Sequence, residues 1–349
     1  MTEIDEDAAG NDGTDMDQFS AHLDRGWDLA QRGDSRGAEL SARRALELDG
    51  QSPEAFNLLG YAAALQGDFE EAVEHYGQAI ALDDTYLEAM LNAAEVYIHP
   101  LGEFDAAIRM CDQALELAET ADELVDALLL KFDALLGSND TAAATALCNG
   151  FPDGPFDNKN HLFLVGRAFF EIGNLDRAAP LIEEATQATS DNPEAWYYLG
   201  LLREEREDFH GATLAFLRSR DLDLTIAPPP WSLSPETFAV SAQRAIENLP
   251  EPLRAFIRSE ELYVSDVPGP EVVADGVDPR ALLLLDGIAA DADGSSPTAR
   301  LFIYQRNVER LAGTIEAVEP ELTAALEREI VATFLEPEDD DPIHPHSLN

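Results

Sequence analysis

Lysine is almost absent from this sequence: Lys131 and Lys159 are the only two, and arginine supplies the rest of the 22 basic residues. Against these stand 69 acidic residues, which give a formal net charge of −47. Nucleic acids and anionic membrane surfaces recruit clustered Lys and Arg, so we expect neither as a partner. The same imbalance is typical of proteins that live in high salt, and the sequence leaves open whether the acidity is such an adaptation or serves a function.

Cysteine and long apolar runs are also scarce. Cys111 and Cys148 are the only cysteines, and their spacing matches neither a metal site nor a disulfide framework. Residues 1–18 are acidic and polar, unlike the basic start and apolar core of a signal peptide. No apolar run approaches the ~18 residues of a membrane helix. We therefore expect a cytoplasmic protein in a reducing compartment, with residues 1–18 as a disordered acidic tail.

The remaining composition is that of a folded protein, with 45% hydrophobic and 26% charged residues. Its 349 residues predict two or three domains, at ~100–200 residues per domain. The motifs GxGxxG, GxxxxGK[ST] and GxSxG do not occur in the sequence. Dinucleotide binding, phosphate-loop chemistry and serine-hydrolase chemistry therefore have no support from motifs.

A period of 34 residues organises most of the chain. Small residues recur at fixed offsets, as a stacked helix–turn–helix requires: they let two helices approach closely, and a glycine after the first helix supplies the positive φ that ends it. Residue pairs one period apart include Gly26 and Gly60, Gly33 and Gly67, Ala38 and Ala72, Gly166 and Gly200, and Ala178 and Ala212.

These residues resemble the tetratricopeptide repeat. The clearest unit is 53–86, in which Gly60, Ala72 and Tyr76 stand at positions of that family's signature. The resemblance implies a mainly α fold class, a solenoid of helix–turn–helix repeats over residues 19–226. We expect about six repeats, at 19–52, 53–86, 87–120 with an insertion near His99-Pro100, 121–150 in degenerate form, 159–192 and 193–226.

The resemblance further implies that the first helix of each repeat lines a concave groove that binds a peptide or protein segment. Some such domains clamp a peptide's terminal carboxylate with Lys, Arg and Asn, but paired lysines are missing here. An aromatic and acidic lining favours an apolar or basic segment, although each aromatic ring could instead pack between helices. By helical spacing, the expected groove residues are Trp27, Asn57, Tyr61, Glu95, Phe163, Arg167 and Tyr197, with Glu54, Glu88, His99, Phe170, Glu194 and Glu204 at equivalent positions.

The period stops after Ile226, where residues 227–233 predict a stiff Pro-rich linker. The pattern that follows predicts a small α+β domain over 234–338 and an acidic, His-containing tail over 339–349. Its expected elements are a helix from Ser234, a short helix from Glu251, strands at 261–267, 281–289 and 299–307, and a last helix at 320–334.

The order of these elements resembles the minimal zincin family, small bacterial metallopeptidase-like domains whose last helix carries HExxH. Alignment of that helix puts Arg328 and Ala332 at the two motif histidines, Glu329 at the Glu and Glu338 at the third-ligand position. Zinc catalysis needs two imidazoles at i and i+4 and a Glu that activates water. A permanent cation and a methyl group stand at the two histidine positions. The resemblance therefore implies a domain that kept the fold and lost the metal, with no catalytic residue and no cofactor.

We accordingly expect a non-catalytic protein–protein interaction scaffold, with the metallopeptidase-like domain as a docking or regulatory module. One alternative is a zinc-dependent metallopeptidase with an unusual ligand set, to which His344 and His346 would contribute. A third hypothesis makes the C-terminal domain an intramolecular lid on the groove.

Overall fold

The structure, a computed structural model, describes residues 8–289 and 298–335, with only the backbone for residues 8–15, 259, 260, 288 and 289. Within these ranges the chain is mainly helical. It divides into two compact units, residues 1–181 (the N-terminal unit) and residues 182–349 (the C-terminal unit). None of the helices in the described ranges combines the length and apolar character that crossing a bilayer requires.

The N-terminal unit consists of paired helices at the spacing that the 34-residue period predicts. Ser52 caps the third helix by accepting from the amide of Ala55, and Gly67 ends that helix with φ 83°. The helices are α1 (Ala8–Gln31), α2 (Ser35–Leu48), α3 (Pro53–Gln66), α4 (Phe69–Leu82), α5 (Leu87–Ile98), α6 (Phe104–Leu117), α7 (Ala121–Gly137), α8 (Thr141–Leu147), α9 (Asn160–Glu171) and α10 (Leu175–Ala188), the last of which crosses the boundary between the units.

Small residues allow these helices to pack closely. A Cβ on Gly60 would lie 2.6 Å from the Tyr76 ring of α4, so the ring fills the space that the glycine leaves. Ala72 and Ala79 are fully buried in the same pair. Consecutive first helices are also in contact, α1 with α3, α3 with α5, α5 with α7 and α7 with α9. They form one surface, which we call the first-helix face.

The start of α1 differs from the expectation from sequence, and the end of α5 agrees with it. α1 begins at Ala8, so residues 8–18, which we expected in a disordered tail, are helical. Extending an existing helix adds one hydrogen bond per residue without a new nucleation step, which favours this continuation. α5 ends at Ile98, just before Pro100, as the break at the insertion predicts.

The C-terminal unit begins within α10, so the sixth repeat and the residues after the Pro-rich segment lie in one compact body. Its other elements are α11 (Pro193–Glu205), α12 (Phe209–Asp223), α13 (Pro235–Asn248), α14 (Glu251–Arg254), β1 (Ile257–Ser265), α15 (Pro270–Ala274), β2 (Leu283–Ala289), β3 (Thr298–Tyr304), α16 (Gln305–Ala312) and α17 (Val318–Phe334).

The three strands form a sheet of order β1-β3-β2, in which β1 runs parallel and β2 antiparallel to the central β3. Inward-facing residues of the strands, such as Leu301 and Ile303, share one core with Phe238 of α13 and Leu322 of α17. Alternation along β3 places the stacked rings of Phe302 and its neighbour Tyr263 on the sheet's other side.

The strand expected at 299–307 ends earlier, at Tyr304, because the next residues form a buried polar network. Gln305 starts α16 and donates to the carbonyl of Leu233 at 2.7 Å and to Glu309 at 2.8 Å. Glu309 in turn accepts from Ser232 at 2.7 Å and from the amide of Leu233 at 3.0 Å. This network fixes the end of the Pro-rich segment to α16.

Candidate peptide-binding groove

The first-helix face carries a pair of aromatic rings. Trp27 of α1 and Tyr61 of α3 lie with their ring centroids 5.4 Å apart at an angle of 58°. Both side chains are half-buried, so part of each ring faces solvent. Aromatic rings held against a helical scaffold offer large contact areas at a small cost in side-chain entropy.

Exposed carboxylates lie on the same set of first helices, on α3 and α5. Glu54, Glu88 and Glu95 are exposed. Neither Glu88 nor Glu95 forms a side-chain hydrogen bond or an ion pair within the described part of the chain. Burial raises the pKa of Tyr86 to about 12, and the charge of Glu88 adds to that effect. Burial likewise raises the pKa of Tyr76, with contributions from Glu95 and Glu88. Glu88 and Glu95 therefore leave negative charge on α5 that no cation of the described residues neutralises.

Asn57 lies beneath this surface and is fully buried. Its Nδ2 donates to the Tyr86 hydroxyl at 3.1 Å, and its Oδ1 accepts from Asn92 at 3.0 Å. Asn92 belongs to α5, so the amide joins two adjacent first helices. Asn57 therefore holds α3 against α5, and both polar atoms of its side chain form hydrogen bonds within the chain.

Arg167 is engaged in the same way at the other end of the unit. Its Nη2 donates to both carboxylate oxygens of Asp133 in α7, at 2.8 and 3.0 Å. His161 is buried nearly two turns earlier in α9, with Nε2 2.9 Å from Asp126 and Nδ1 3.2 Å from Asp122.

Other expected groove positions differ in their exposure. Phe163 is buried in α9, while His99 is exposed at the end of α5. Among the expected positions of the N-terminal unit, half-buried rings lie on α1 (Trp27), α3 (Tyr61) and α9 (Phe170), and exposed carboxylates lie on α3 and α5.

In the C-terminal unit, the expected groove residues Glu194 and Tyr197 of the sixth repeat contact a later segment of the same chain. Tyr197 is 7% exposed, and its hydroxyl donates to Asp278 at 2.8 Å. The Arg280 guanidinium lies over the Tyr197 ring, 4.2 Å from its centroid, and donates to both oxygens of Glu194 at 2.7 and 2.8 Å. Burial and the charge of Asp278 raise the pKa of Tyr197.

A buried carboxylate completes this cluster. Asp223, at the end of α12, is 4% exposed, with Oδ2 3.7 Å from Arg280 Nε and Oδ1 2.8 Å from Arg310 Nη2. Burial acts to lower the pKa of Arg280, but the hydrogen bonds and charge of Glu194, together with Asp223, outweigh it and raise that pKa. The repeat is thereby tied to the segment before β2 and to α16.

The positions aligned with the zincin motif lie on α17. Arg328 is exposed, and Glu329 and Ala332 are half-buried. Burial raises the pKa of Glu329, although Arg328 acts against it. Glu338, His344 and His346 lie outside the described residues. Within residues 8–289 and 298–335, no group of three or more His, Cys, Asp and Glu could hold a metal ion.

The sequence pattern missed the partners of the groove residues. Asp133 and Arg167 are 34 residues apart, so pairing equivalent positions of neighbouring first helices would have found that contact. Asn57 and Asn92, 35 residues apart, could have been found similarly. Arg280 carries no such signal, because it lies outside the repeats and 86 residues from Glu194.

Comparison with known proteins agrees with the helix pairs. Residues 23–87 and 164–223 match a family model described as tetratricopeptide repeat, and residues 63–129 match a second model of that description. A solved structure from the functional characterization of Pseudomonas aeruginosa pilF superposes with a TM-score of 0.52 at 16% identity, over 61% of this chain and 95% of that one. At this identity the likeness shows the fold alone.

Curated relatives match over a short stretch. The Hsp70-Hsp90 organizing protein of Triticum aestivum is 42% identical over 57 residues, which is 16% of this chain and 10% of that protein. Hsp70-Hsp90 organizing protein 2 of Arabidopsis thaliana is 40% identical over 58 residues, or 17% of this chain and 10% of that protein. The match thus spans a tenth of these relatives. Together, the helix pairs, the matched models and the superposition establish that residues 23–129 and 164–223 are built of tetratricopeptide repeats.

Proposed function

We propose that this protein is a non-catalytic scaffold whose first-helix face binds an apolar or basic segment of another protein. The observation that carries the proposal is the half-buried Trp27–Tyr61 pair on α1 and α3, together with exposed carboxylates of α3 and α5 that have no cationic partner in the described residues. Leucine-type side chains would pack against the rings, and a guanidinium or ammonium would neutralise Glu88 or Glu95.

Three further points support a binding role. The Asn57–Asn92 and Asp133–Arg167 hydrogen bonds join neighbouring first helices. Because these contacts fix the helices, the binding groups need little rearrangement before a ligand docks. The net charge of −47 would accelerate encounter with a basic partner. The matched relatives are named as organizing proteins, which is in keeping with a scaffold.

We further propose that residues 234–338 form an inactivated zincin-like module that serves docking or regulation. The order α13, β1, β3, α17 follows the order on which the resemblance rests, and the side chains at the two motif histidine positions cannot bind zinc. The stacked Tyr263–Phe302 rings, the first of which is half exposed, would suit docking.

Fluorescence anisotropy with two labelled peptides tests the groove. One peptide alternates Arg and Leu, and its matched partner alternates Glu and Leu. We expect the first alone to bind the full chain at about 0.15 M salt, where weak long-range attraction is screened. Trp27→Ala with Tyr61→Ala should weaken that binding at least about tenfold, because both rings would be anchors.

The paired variant leaves the net charge unchanged, so it separates docking from general attraction to an acidic protein. The control is Phe209→Ala, which removes an exposed ring from α12. Equal binding to the wild type and the paired variant, with both folded by circular dichroism, would contradict the proposed groove. Loss confined to the paired variant would support it.

A further inference from the structure

Arg280 occupies the sixth repeat in the way that a bound ligand would. Its two terminal nitrogens donate to the two oxygens of Glu194, and its guanidinium carbon lies over the Tyr197 ring, 4.2 Å from the centroid. A forked hydrogen-bond pair combined with an aromatic platform recognises arginine specifically, since lysine offers only a point charge.

Two of the residues that hold Arg280 stand at positions that we expect to face a ligand. Glu194 and Tyr197 are the second and fifth residues of the sixth unit, and both were expected to face a peptide. Glu54 and Glu88 occupy the same second position in earlier repeats. Arg280 itself comes from a segment outside the repeats, between α15 and β2.

We propose that Glu194, Tyr197 and Asp223 form an arginine-binding site, which Arg280 fills in cis and an arginine-bearing segment of a partner protein fills in trans. Residues 270–280, which we call the strap, then compete with the partner. The inference rests on the proposed function in one respect, since it assumes that the repeats accept a peptide. It adds the chemistry of the anchor, a guanidinium, and an intramolecular control of access.

The geometry of the site allows an exchange of this kind. The Glu194 side chain is 44% exposed, so an incoming arginine can reach the carboxylate before Arg280 has left. The strap's apolar contact with this repeat is Val273, which packs against Tyr197, Ala212 and Phe216. Asn307 holds the carbonyls of Pro279 and Ala281 at 3.0 and 2.8 Å, so a displaced strap stays anchored at its end.

The test uses the full chain and a labelled peptide that copies residues 275–283. In the wild type the strap fills the site, so the apparent affinity for the peptide is the affinity of the open site multiplied by the fraction of molecules in which the strap is displaced. We expect Arg280→Ala to bind this peptide at least about tenfold more tightly than the wild type. Glu194→Gln added to Arg280→Ala should abolish the gain, and so should a peptide with Lys in place of its Arg.

A second measurement needs no substitution and does not depend on the variants' folding. Amide hydrogen exchange in residues 270–280 of the wild type should accelerate when the arginine peptide is in excess, and stay unchanged with the lysine peptide. Unchanged exchange with both peptides would overturn the inference. A gain in Arg280→Ala that persists after Glu194→Gln would also overturn it.

These outcomes can be distinguished from a failure of the proposed groove. Trp27→Ala with Tyr61→Ala tests the N-terminal unit and should leave the gain produced by Arg280→Ala intact. If that gain is missing while the N-terminal rings still contribute to binding, the strap inference fails alone. If the gain is present and the rings contribute nothing, the groove proposal fails alone.

Discussion

Asn92 donates a hydrogen bond to the side-chain oxygen of Asn57 at 3.0 Å, and this contact joins the first helices of two neighbouring repeats. The Asn57 amide also donates to Tyr86 at 3.1 Å, so one fully buried side chain of α3 binds both α5 and the residue that precedes it. A residue that faces the binding surface by its position in the repeat has thus become part of the support beneath it.

Asn57→Ala should lower stability and leave peptide affinity unchanged. The substitution leaves the half-buried Tyr86 and Asn92 side chains without this partner, which costs about 1–2 kcal/mol. Thermal unfolding followed by circular dichroism measures the loss, and Asn149→Ala, at an exposed side chain, is the control. A large drop in affinity at unchanged stability would contradict this role and make Asn57 a direct ligand of the peptide.

Glycine substitutions should separate close packing from helix propensity. Gly60→Ala places a Cβ 2.6 Å from the Tyr76 ring and should destabilise by about 1–3 kcal/mol. Gly77→Ala, within α4 and with open space around its Cβ, should be neutral or stabilise by up to about 1 kcal/mol. Denaturant unfolding of both variants gives the comparison. Equal changes in the free energy of unfolding would show that close packing against Tyr76 does not require a glycine at position 60.

Much of this arrangement could be predicted from the sequence because one period governs it. Repetition of Gly, Ala and aromatic residues located the helix pairs. A helix break was expected near Pro100, and α5 ends two residues before it, at Ile98. The period also fixes which positions of neighbouring first helices meet, as Asp133 and Arg167 do. It does not say whether a ring at such a position stays half open, like Tyr61, or is buried, like Phe163.

The contacts of the sixth repeat could not be predicted in that way. Arg280 reaches Glu194 across 86 residues of sequence, and no periodic pattern relates the two. The sequence likewise predicted a stiff Pro-rich linker at 227–233 but not its contacts, in which the Glu309 carboxylate accepts from Ser232 and from the amide of Leu233. Such contacts depend on how a non-repeating segment folds back, which local patterning does not encode.

Asp223 should be a stability determinant of the C-terminal unit. Asp223→Ala leaves Arg280 and Arg310 without a shared buried carboxylate and should cost about 2–3 kcal/mol, less than a fully buried pair because Arg310 is partly exposed. Asp221→Ala, two residues earlier and exposed, should change stability by less than about 1 kcal/mol. Comparable losses in thermal unfolding would argue against the Asp223 cluster.

Both thiols should be unreactive in the native protein. Burial raises the pKa of Cys111 to about 12 and that of Cys148 to about 11, so the thiolate is scarce at neutral pH. Since these values lie above the ordinary pKa of 9.0, their contribution to stability is complete below about pH 9 and is lost as pH rises towards 12. Titration with a thiol reagent at pH 8 should detect no free thiol until denaturant is added. Rapid reaction of the folded chain would contradict the burial of both residues.

The most direct test of the account is to locate where a bound peptide lies. An Arg/Leu peptide that carries a photo-activated cross-linker, irradiated with the full chain and mapped by mass spectrometry, reports its neighbours. The groove proposal predicts adducts on α1, α3 and α5, at Trp27, Tyr61 and residues beside them. Adducts confined to the exposed second helices, α2, α4 and α6, would contradict it.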